Sequence, residues 1–341
     1  MFNGNTTGLT KRVIRPPHGD AGVFSFRIVA SLVHSHLRHR RKSLPGKDAV
    51  DERRFAAEIL AYRGSGVEGV YTGGTTGEFY AQDDATFETI TAIACRQAHA
   101  ADLLVQIGCT ALSTRTCRQR IRVAQRHGAD AVQIALPCWL ELKDDELLAF
   151  FDGITAEAGD TPLVLYDTAR AKRKMTPEWI GRLAARYPTL IGVKNTTATP
   201  DEIRAWLERA PDISVFGAEH DLIERMQAGG RGTYSAIACL NAVRVVELYR
   251  CCAEEDWRAA EPIQNELRRY ETEAILPLVQ QEGLSDSAVD QVQRLLGGGD
   301  VGLRCQGPYS SATPEQLQQV EQWCRENLPH LLPSRDAHPD N

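Results

Sequence analysis

Short apolar runs and longer amphipathic stretches alternate along this chain from residue 50 onward, and this alternation constrains the fold more than any other feature. The runs are rich in β-branched residues and apolar on both faces, which is typical of strands buried in a parallel sheet. Their starts span residues 68 to 232 at a mean interval of about 27 residues, which suits one strand–helix unit. The seven predicted strands cover 68–72, 103–108, 131–136, 162–166, 190–194, 213–217 and 232–237.

The stretches between these runs carry the signals of helix ends. Thr176 and Thr199 each precede a proline and acidic residues, as helix N-caps do. Glycine ends two of the stretches, as it ends many helices. The predicted helices cover 83–99, 114–128, 144–158, 176–187, 199–210 and 219–229.

These repeated units predict an α/β fold, a (β/α)8 TIM barrel with an appended C-terminal helical region. Residues 22–30 would supply the eighth strand, and the pattern after residue 243 is helical through about residue 327. An open, doubly wound sheet would produce the same alternation and is the alternative architecture. The predicted divisions are a basic, atypical segment over 1–47, the main part of the barrel over 48–242, the helical region over 243–328 and a tail over 329–341.

Active sites of such barrels lie at the carboxyl ends of the strands, where this sequence places Lys194 and Tyr166. Desolvation at the top of a buried strand favours a neutral amine, which can attack a ketone and form a Schiff base. A phenol on the neighbouring strand could pass protons to and from a bound substrate. The alternatives are a lysine that extends into solvent and an interior tyrosine whose hydroxyl is satisfied.

A glycine- and threonine-rich loop, Gly73-Gly-Thr-Thr-Gly-Glu78, follows the first of the seven runs. Its spacing differs from that of nucleotide phosphate loops. The glycines allow close approach of the backbone to a ligand, and the hydroxyls and amides of Thr75 and Thr76 could bind a carboxylate. A plain tight turn is the other interpretation of this loop.

The Gly-Thr-Thr-Gly-Glu loop, a tyrosine ending one strand and Gly-Val-Lys ending the next together resemble the dihydrodipicolinate synthase / N-acetylneuraminate lyase superfamily. The segment Gly229-Gly-Arg-Gly-Thr-Tyr-Ser235 and the nearby Asn241 also resemble that family. The resemblance extends from about residue 48 to residue 328, and it is more specific for the superfamily than for a substrate.

The resemblance implies a Schiff-base-forming (class I) lyase that acts on pyruvate or another 2-oxo acid, in some reactions with an aldehyde. It implies no metal, no organic cofactor and a homo-oligomer, either a dimer or a tetramer. Lys194 would form the imine, Tyr166 would move protons with help from Thr76, and the threonine pair would hold the carboxylate. The implied site residues are catalytic Lys194, Tyr166 and Thr76 and substrate-binding Gly74, Thr75, Trp139, Arg170 and Ser235.

Three segments differ from the family pattern. Pro137-Cys-Trp139 lacks the paired tyrosine of the synthases and is closer to the hydratase-aldolases that cleave aryl-substituted pyruvates, which is an alternative function. Arg170 is displaced by one residue from the arginine that binds a second carboxylate in the family. Residues 21–47 lack the Thr-Pro-Phe-like segment of the first strand, so a catalytically impaired barrel that binds or senses 2-oxo acids is a further alternative.

Charge and cysteine content limit the setting in which the chain works. The net charge is −6, although residues 1–47 hold nine Lys and Arg and a single acid, which predicts a solvated basic stretch or an organellar address. The acidic remainder argues against nucleic-acid binding, and no apolar run is long enough to cross a membrane. Nine cysteines without CxxC spacing or a Cys/His cluster predict reduced thiols, a cytoplasmic location and no metal site.

Overall fold

Eight parallel strands close into a barrel in the computed structural model, which describes residues 28–31, 37–38 and 49–333. Parallel strands need long crossover connections, and helices supply most of them here. The strands are β1 Ile28–Ser31, β2 Leu37–Arg38, β3 Ala49–Val50, β4 Gly69–Thr72, β5 Leu104–Gly108, β6 Ala131–Ala135, β7 Leu163–Tyr166, β8 Leu190–Lys194, β9 Ser214–Gly217 and β10 Gly232–Ser235. The helices are α1 Glu52–Leu60, α2 Asp84–Ala100, α3 Thr114–Arg126, α4 Asp144–Ala158, α5 Pro177–Arg186, α6 Pro200–Arg209, α7 Leu222–Gln227, α8 Ala238–Ala253, α9 Trp257–Tyr270, α10 Leu276–Gln280, α11 Asp286–Leu296 and α12 Pro314–Asn327.

The first strand completes the barrel, as the sequence predicted, and its described part is Ile28–Ser31. β1 pairs in parallel with both β10 and β4, which closes the ring of strands. It covers 28–31, while the remainder of the predicted 22–30 segment lies outside the described residues. Most of the basic run at 34–42 is also outside them, except for β2, which pairs antiparallel with β3.

The predicted helix starts are confirmed at α5 and α6. The side chain of Thr176 accepts a hydrogen bond from the Trp179 amide, and that of Thr199 accepts one from the Glu202 amide. Both bonds satisfy amides that have no partner within the helix. One helix went unpredicted: α1 begins after Asp51, whose carboxylate accepts from the amide of Arg54.

Two predicted boundaries were wrong near the end of the barrel. The last strand ends at Ser235 rather than at residue 237, and the helix predicted over 219–229 covers only Leu222–Gln227. The reason is a tertiary contact, because the carboxylate of Glu219 accepts bonds from the Ser235 hydroxyl and the Ile237 amide. These bonds hold both connections in irregular conformations just beyond the strands.

The interior of the barrel is filled by side chains that point inward from alternate strand positions. Tyr71, Ala131, Phe216 and Tyr234 form a cluster of their own there, separate from the larger apolar layer between strands and helices. The Tyr234 ring meets the edges of Tyr71 and Phe216 at centroid distances of 5.6 and 5.3 Å, and its hydroxyl donates to Gln106 Oε1 at 2.6 Å. The barrel interior is thus a packed core, and function is expected at its carboxyl-end mouth.

The last helices, α8 to α12, pack on one another and return to the barrel, where α8 contacts β1 and β10. The boundaries after residues 242 and 328, which separate the barrel, the helical region and the tail, stay predictions from the sequence. Across the described residues, none of the helices has both the length and the apolar character that a membrane span requires.

Candidate active site

Lys194 and Tyr166 lie side by side at the carboxyl ends of adjacent strands. They are register partners in the β7–β8 pair, and the Lys194 Nζ atom lies 4.5 Å from the centroid of the Tyr166 ring. A register shift at residues 163 and 164 produces this pairing, because β8 carries one extra residue there. Without the extra residue, Tyr166 would face Val193, whose side chain lies in the outer apolar layer.

Two further tyrosines complete an aromatic enclosure around the amine. Lys194 Nζ lies 4.9 Å from the Tyr234 ring centroid and 5.4 Å from that of Tyr71, and the lysine is only 8 % exposed. Aromatic faces attract cations at these distances. Three rings therefore surround the position where a cationic iminium would form if Lys194 condensed with a ketone.

The backbone that follows Lys194 is fixed by buried polar groups. The Asn195 side-chain amide donates to Asp167 at 2.8 Å, and the Asp167 amide donates to the Lys194 carbonyl at 2.9 Å. Arg225, 3 % exposed, donates to the carbonyls of Asn195 and Thr196, both at 2.9 Å. Burial raises the pKa of Asp167, which the Asn195 bond partly offsets. These contacts hold the end of β8, and with it the amine, in a defined position.

The Tyr71 ring lies between the glycine- and threonine-rich loop and the Lys194 amine. A Cβ atom at Gly74 would come within 2.5 Å of the Tyr71 ring, and one at Gly108 would come within 2.1 Å of the Gly73 carbonyl oxygen. Glycine at position 74 therefore leaves room for the ring beside Lys194, and glycine at position 108 leaves room for the backbone of the loop. Thr75 and Thr76 are half-buried at this loop, next to the mouth.

Helix α11 contacts the same loop from the C-terminal region. The Ser287 hydroxyl donates to the Thr75 carbonyl at 2.9 Å, and the Thr76 hydroxyl donates to Asp290 Oδ2 at 2.7 Å. Asp290 is 3 % exposed, and burial raises its pKa to about 7. A carboxyl group thus stands directly behind the threonine that the sequence assigned to substrate.

Ser235 lies at the end of β10 and is fully buried. Its hydroxyl donates to Glu219 Oε1 at 2.6 Å, so its proton is engaged by a carboxyl group of the protein itself. Burial raises the pKa of Glu219, which increases the share of its protonated form. Ser235 and Glu219 therefore act as one polar unit at the mouth.

The two remaining predicted site residues are on exposed loops. Trp139, 76 % exposed, follows β6, and the Lys172 ammonium donates to its carbonyl at 2.9 Å. Arg170 follows β7 and forms an ion pair with Asp286 of α11 at 3.1 Å. A role in substrate binding stays a prediction for both residues. Arg170 already has an acidic partner in Asp286.

Four residues of this site were not predicted from the sequence: Tyr71, Tyr234, Glu219 and Asp290. The period of two along the strands could have found Tyr71 and Tyr234, because each lies on the inward face of its strand. Glu219 stands two residues after β9, at one of the strand ends where site residues are expected, but the sequence predicted no role for it. Asp290 gave no local signal, because it sits in a helix far along the chain.

Within residues 49–333, no three His, Cys, Asp or Glu side chains are grouped as the ligands of a metal ion would be. All nine cysteines lie in that range and are free thiols. The polar groups at the mouth instead include the Lys194 amine, buried carboxyls, hydroxyls and phenols. Such a set can form a covalent imine and transfer protons around it.

A closed barrel with a buried amine among phenols at its mouth defines the class: a (β/α)8 barrel built for chemistry at the carboxyl ends of its strands. The chain belongs to the dihydrodipicolinate synthetase family, whose model matches residues 45–326. The family resemblance predicted from the sequence is thus confirmed.

The individual relatives are only distantly similar to this chain in sequence. The 4-hydroxy-tetrahydrodipicolinate synthase of Methanopyrus kandleri is 28 % identical over 221 residues, which cover 64 % of this chain and 73 % of the relative. The structure of YagE, a prophage protein of the dihydrodipicolinic acid synthase family from E. coli K12 in complex with pyruvate, matches with a TM-score of 0.76 at 20 % identity. That match covers 88 % of this chain and 98 % of YagE. Dihydrodipicolinate synthase from Aquifex aeolicus also has a TM-score of 0.76 at 20 % identity, over 92 % of this chain and all of the other. The likeness to both structures concerns the fold.

Proposed function

We propose that this protein is a Schiff-base-forming lyase, of the class I aldolase type, that acts on pyruvate or another 2-oxo acid. The observation that carries the proposal is the position of the Lys194 amine, 4.5 Å from the Tyr166 ring centroid at the mouth of the barrel. Membership of the dihydrodipicolinate synthetase family supports the same chemistry. The related YagE structure, which holds pyruvate, supports the choice of substrate class.

In the proposed reaction, Lys194 Nζ adds to the ketone carbon, and the carbinolamine loses water to give a cationic iminium. Loss of a proton from the adjacent carbon gives an enamine, which adds to the carbonyl carbon of an aldehyde. Hydrolysis then releases the product and restores the amine. The reverse sequence cleaves an aldol. Tyr166, adjacent to the amine, is the group proposed to carry protons between these steps.

The threonine pair is proposed to hold the carboxylate of the 2-oxo acid. Gly74 lets this loop pack on Tyr71, whose ring also borders Lys194, so the carboxylate and ketone subsites share one wall. Backbone amides and hydroxyls in such a loop are suited to an anion. In this scheme Ser235, with its partner Glu219, borders the same mouth.

A second candidate, hydratase-aldolase activity on aryl-substituted pyruvates, is favoured by one observation. The Trp139 ring is exposed beside the loop after β7, with the Lys172 ammonium 6.0 Å from its centroid. A flat ring and a cation at the entrance suit an aromatic, anionic substrate. Comparing turnover of aryl-substituted and aliphatic 2-oxo acids separates the two candidates.

Association into a dimer or tetramer is also proposed. Three apolar side chains in the loops after β5 and β6 support it, since Leu112, Trp139 and Leu140 are 64, 76 and 72 % exposed. Where such side chains form one contiguous apolar patch, the patch commonly marks a contact surface. Light scattering coupled to gel filtration would measure the mass in solution.

The test of the lyase proposal is reductive trapping. Incubation with pyruvate and borohydride should give a covalent adduct that mass spectrometry locates at Lys194. Lys194→Met should abolish the adduct, while Lys174→Met, which removes an exposed amine paired with Glu202, should retain it. If a panel of 2-oxo acids gives no adduct at Lys194, the enzyme proposal fails and a non-catalytic binding role is favoured.

A further inference from the structure

Asp290 is a buried acid that the proposed chemistry leaves without a task. It comes from α11, more than two hundred residues from the loop that it contacts. Its two oxygens have neutral partners: Oδ2 accepts from the Thr76 hydroxyl at 2.7 Å, and Oδ1 accepts from the Gln293 amide at 2.8 Å. Burying a carboxylate against neutral donors is unfavourable unless its charge is compensated or removed.

The groups around Asp290 do not compensate a negative charge. Asp286, on its own helix, and Glu219, beyond β9, both add negative potential and favour the protonated form. Cys239 of α8 and Tyr270 of α9 also face it, and burial raises the pKa of each, so both are neutral near pH 7. Burial, with a smaller contribution from the charges of Asp286 and Glu219, raises the pKa of Asp290 to about 7.

Arg294 is the cation on the same helix, and it is directed elsewhere. Its guanidinium contacts the Cys239 carbonyl and lies 5.8 Å from the centroid of the Tyr62 ring. The hydrogen-bonded partners of Asp290 thus remain the hydroxyl and the amide. Whether Asp290 carries a proton therefore decides the direction of the bond that it shares with Thr76.

A hydroxyl has one proton to donate. While Asp290 is ionised, the Thr76 proton points to Asp290 and away from the mouth. When Asp290 is protonated, it becomes the donor, and the Thr76 hydroxyl is free to donate to an anion on its other side. A carboxylate bound at Thr76 would also repel an ionised Asp290, because two like charges would share one hydroxyl.

We propose that Asp290 is a positioning residue for the substrate carboxylate, and that a 2-oxo acid binds together with one proton, which is taken up by Asp290. In this binding step, the ionised Asp290 carboxyl takes up one proton from solvent and becomes neutral. It is then hydrogen-bonded through Thr76 to the bound substrate anion. The inference rests on the proposed function, in which Thr76 faces the carboxylate. The inference predicts that the substrate anion binds more tightly as the pH falls.

The decisive measurement is the pH dependence of substrate saturation. Trapping of pyruvate with cyanoborohydride is followed from pH 5.5 to 8.5 in the wild type and in Asp290→Asn. In the variant, the amide N–H donates permanently to Thr76, while its oxygen still accepts from Gln293, so it mimics the protonated acid. The ratio of half-saturating pyruvate concentrations, wild type over variant, should rise about tenfold per pH unit above pH 7 and be level below pH 6. The pH dependence of the imine chemistry itself is common to both proteins and cancels in this ratio.

Glu219→Gln is the matched control, because it removes another buried carboxyl at the mouth. It should keep the slope of the wild-type pH dependence, displaced to lower pH because Glu219 no longer raises the pKa of Asp290. If Glu219→Gln abolishes that dependence and Asp290→Asn retains it, the assignment to Asp290 is overturned. A merely structural role for Asp290 would shift the half-saturating concentration by the same factor at every pH, which would overturn it as well.

Calorimetry on Lys194→Met, in which Asp290 is intact, keeps the test independent of whether Asp290→Asn folds and excludes the protons exchanged when the iminium forms. Pyruvate binding to this variant at pH 8 in two buffers of different ionisation enthalpy should report uptake of about one proton per site. Uptake of none contradicts the inference. Absence of any adduct at Lys194 defeats the proposed function but leaves this calorimetric result to decide the role of Asp290. If the adduct forms but the ratio of half-saturating pyruvate concentrations does not change with pH, the role of Asp290 is overturned and the proposed function stands.

Discussion

Arg225 offers a quantitative test of how the end of β8 is held. Its guanidinium donates to the carbonyls of Asn195 and Thr196 and pairs with Asp221. Replacing it with methionine leaves two carbonyls without donors, at about 1–3 kcal/mol each, while Asp221, 28 % exposed, can be hydrated. Burial of the methionine side chain returns about 1–2 kcal/mol. The expected net loss in the free energy of unfolding is about 3 kcal/mol.

Urea denaturation of Arg225→Met and wild type measures this loss from the shift in midpoint at an unchanged slope. Arg209→Met is the matched control, because Arg209 is exposed and lies 3.8 Å from Glu178, a surface pair whose removal should cost no more than about 1 kcal/mol. Trapping at Lys194 should also slow in Arg225→Met, since the amine is on the strand that Arg225 secures. A loss below about 1 kcal/mol, equal to that of the control, would refute the reasoning.

Three further predictions concern packing, titration and access. Gly74→Ala should lower the free energy of unfolding by about 1–3 kcal/mol in urea denaturation, because its Cβ would overlap the Tyr71 ring; an unchanged midpoint would contradict the geometry. The raised pKa of Asp290 stabilises the fold fully below the unfolded pKa of about 4, and this stability is lost as the pH rises through about 7. The free energy of unfolding of the wild type, measured by urea denaturation relative to that of Asp290→Asn, should therefore fall by roughly 4 kcal/mol between about pH 4 and pH 8. Parallel curves for the two proteins would show that Asp290 does not titrate in this range. A thiol reagent should label Cys138 rapidly and the half-buried Cys251 more slowly, whereas the other seven cysteines should react only after unfolding; fast labelling of further thiols would contradict the packing.

Periodicity was sufficient for the barrel because each strand–helix unit carries its own pattern. The strand prediction at 190–194 matches β8, and the helix prediction at 144–158 matches α4. Both depend on local features: an apolar run for the strand, and acids in the first turn for the helix. Where a tertiary contact overrides such features, as Glu219 does with Ser235 and the Ile237 amide, the predicted boundary was wrong.

The sequence also identified Lys194 and Tyr166 as neighbours, since successive strands of a parallel barrel end on the same side. It could not establish that their side chains share the inner face. That depends on one extra residue in β8, because a slip of a single residue turns every following side chain to the other face.

By itself, then, the sequence determined the order of strands and helices in the barrel and the position of Lys194 and Tyr166 at the carboxyl ends of neighbouring strands. These follow from short-range patterns and from the geometry common to parallel barrels. Only the tertiary structure decided that Tyr71 and Tyr234 enclose the amine and that Asp290 reaches Thr76 from α11. Contacts between residues so far apart in the chain depend on how whole helices and strands pack, and no local pattern encodes that packing.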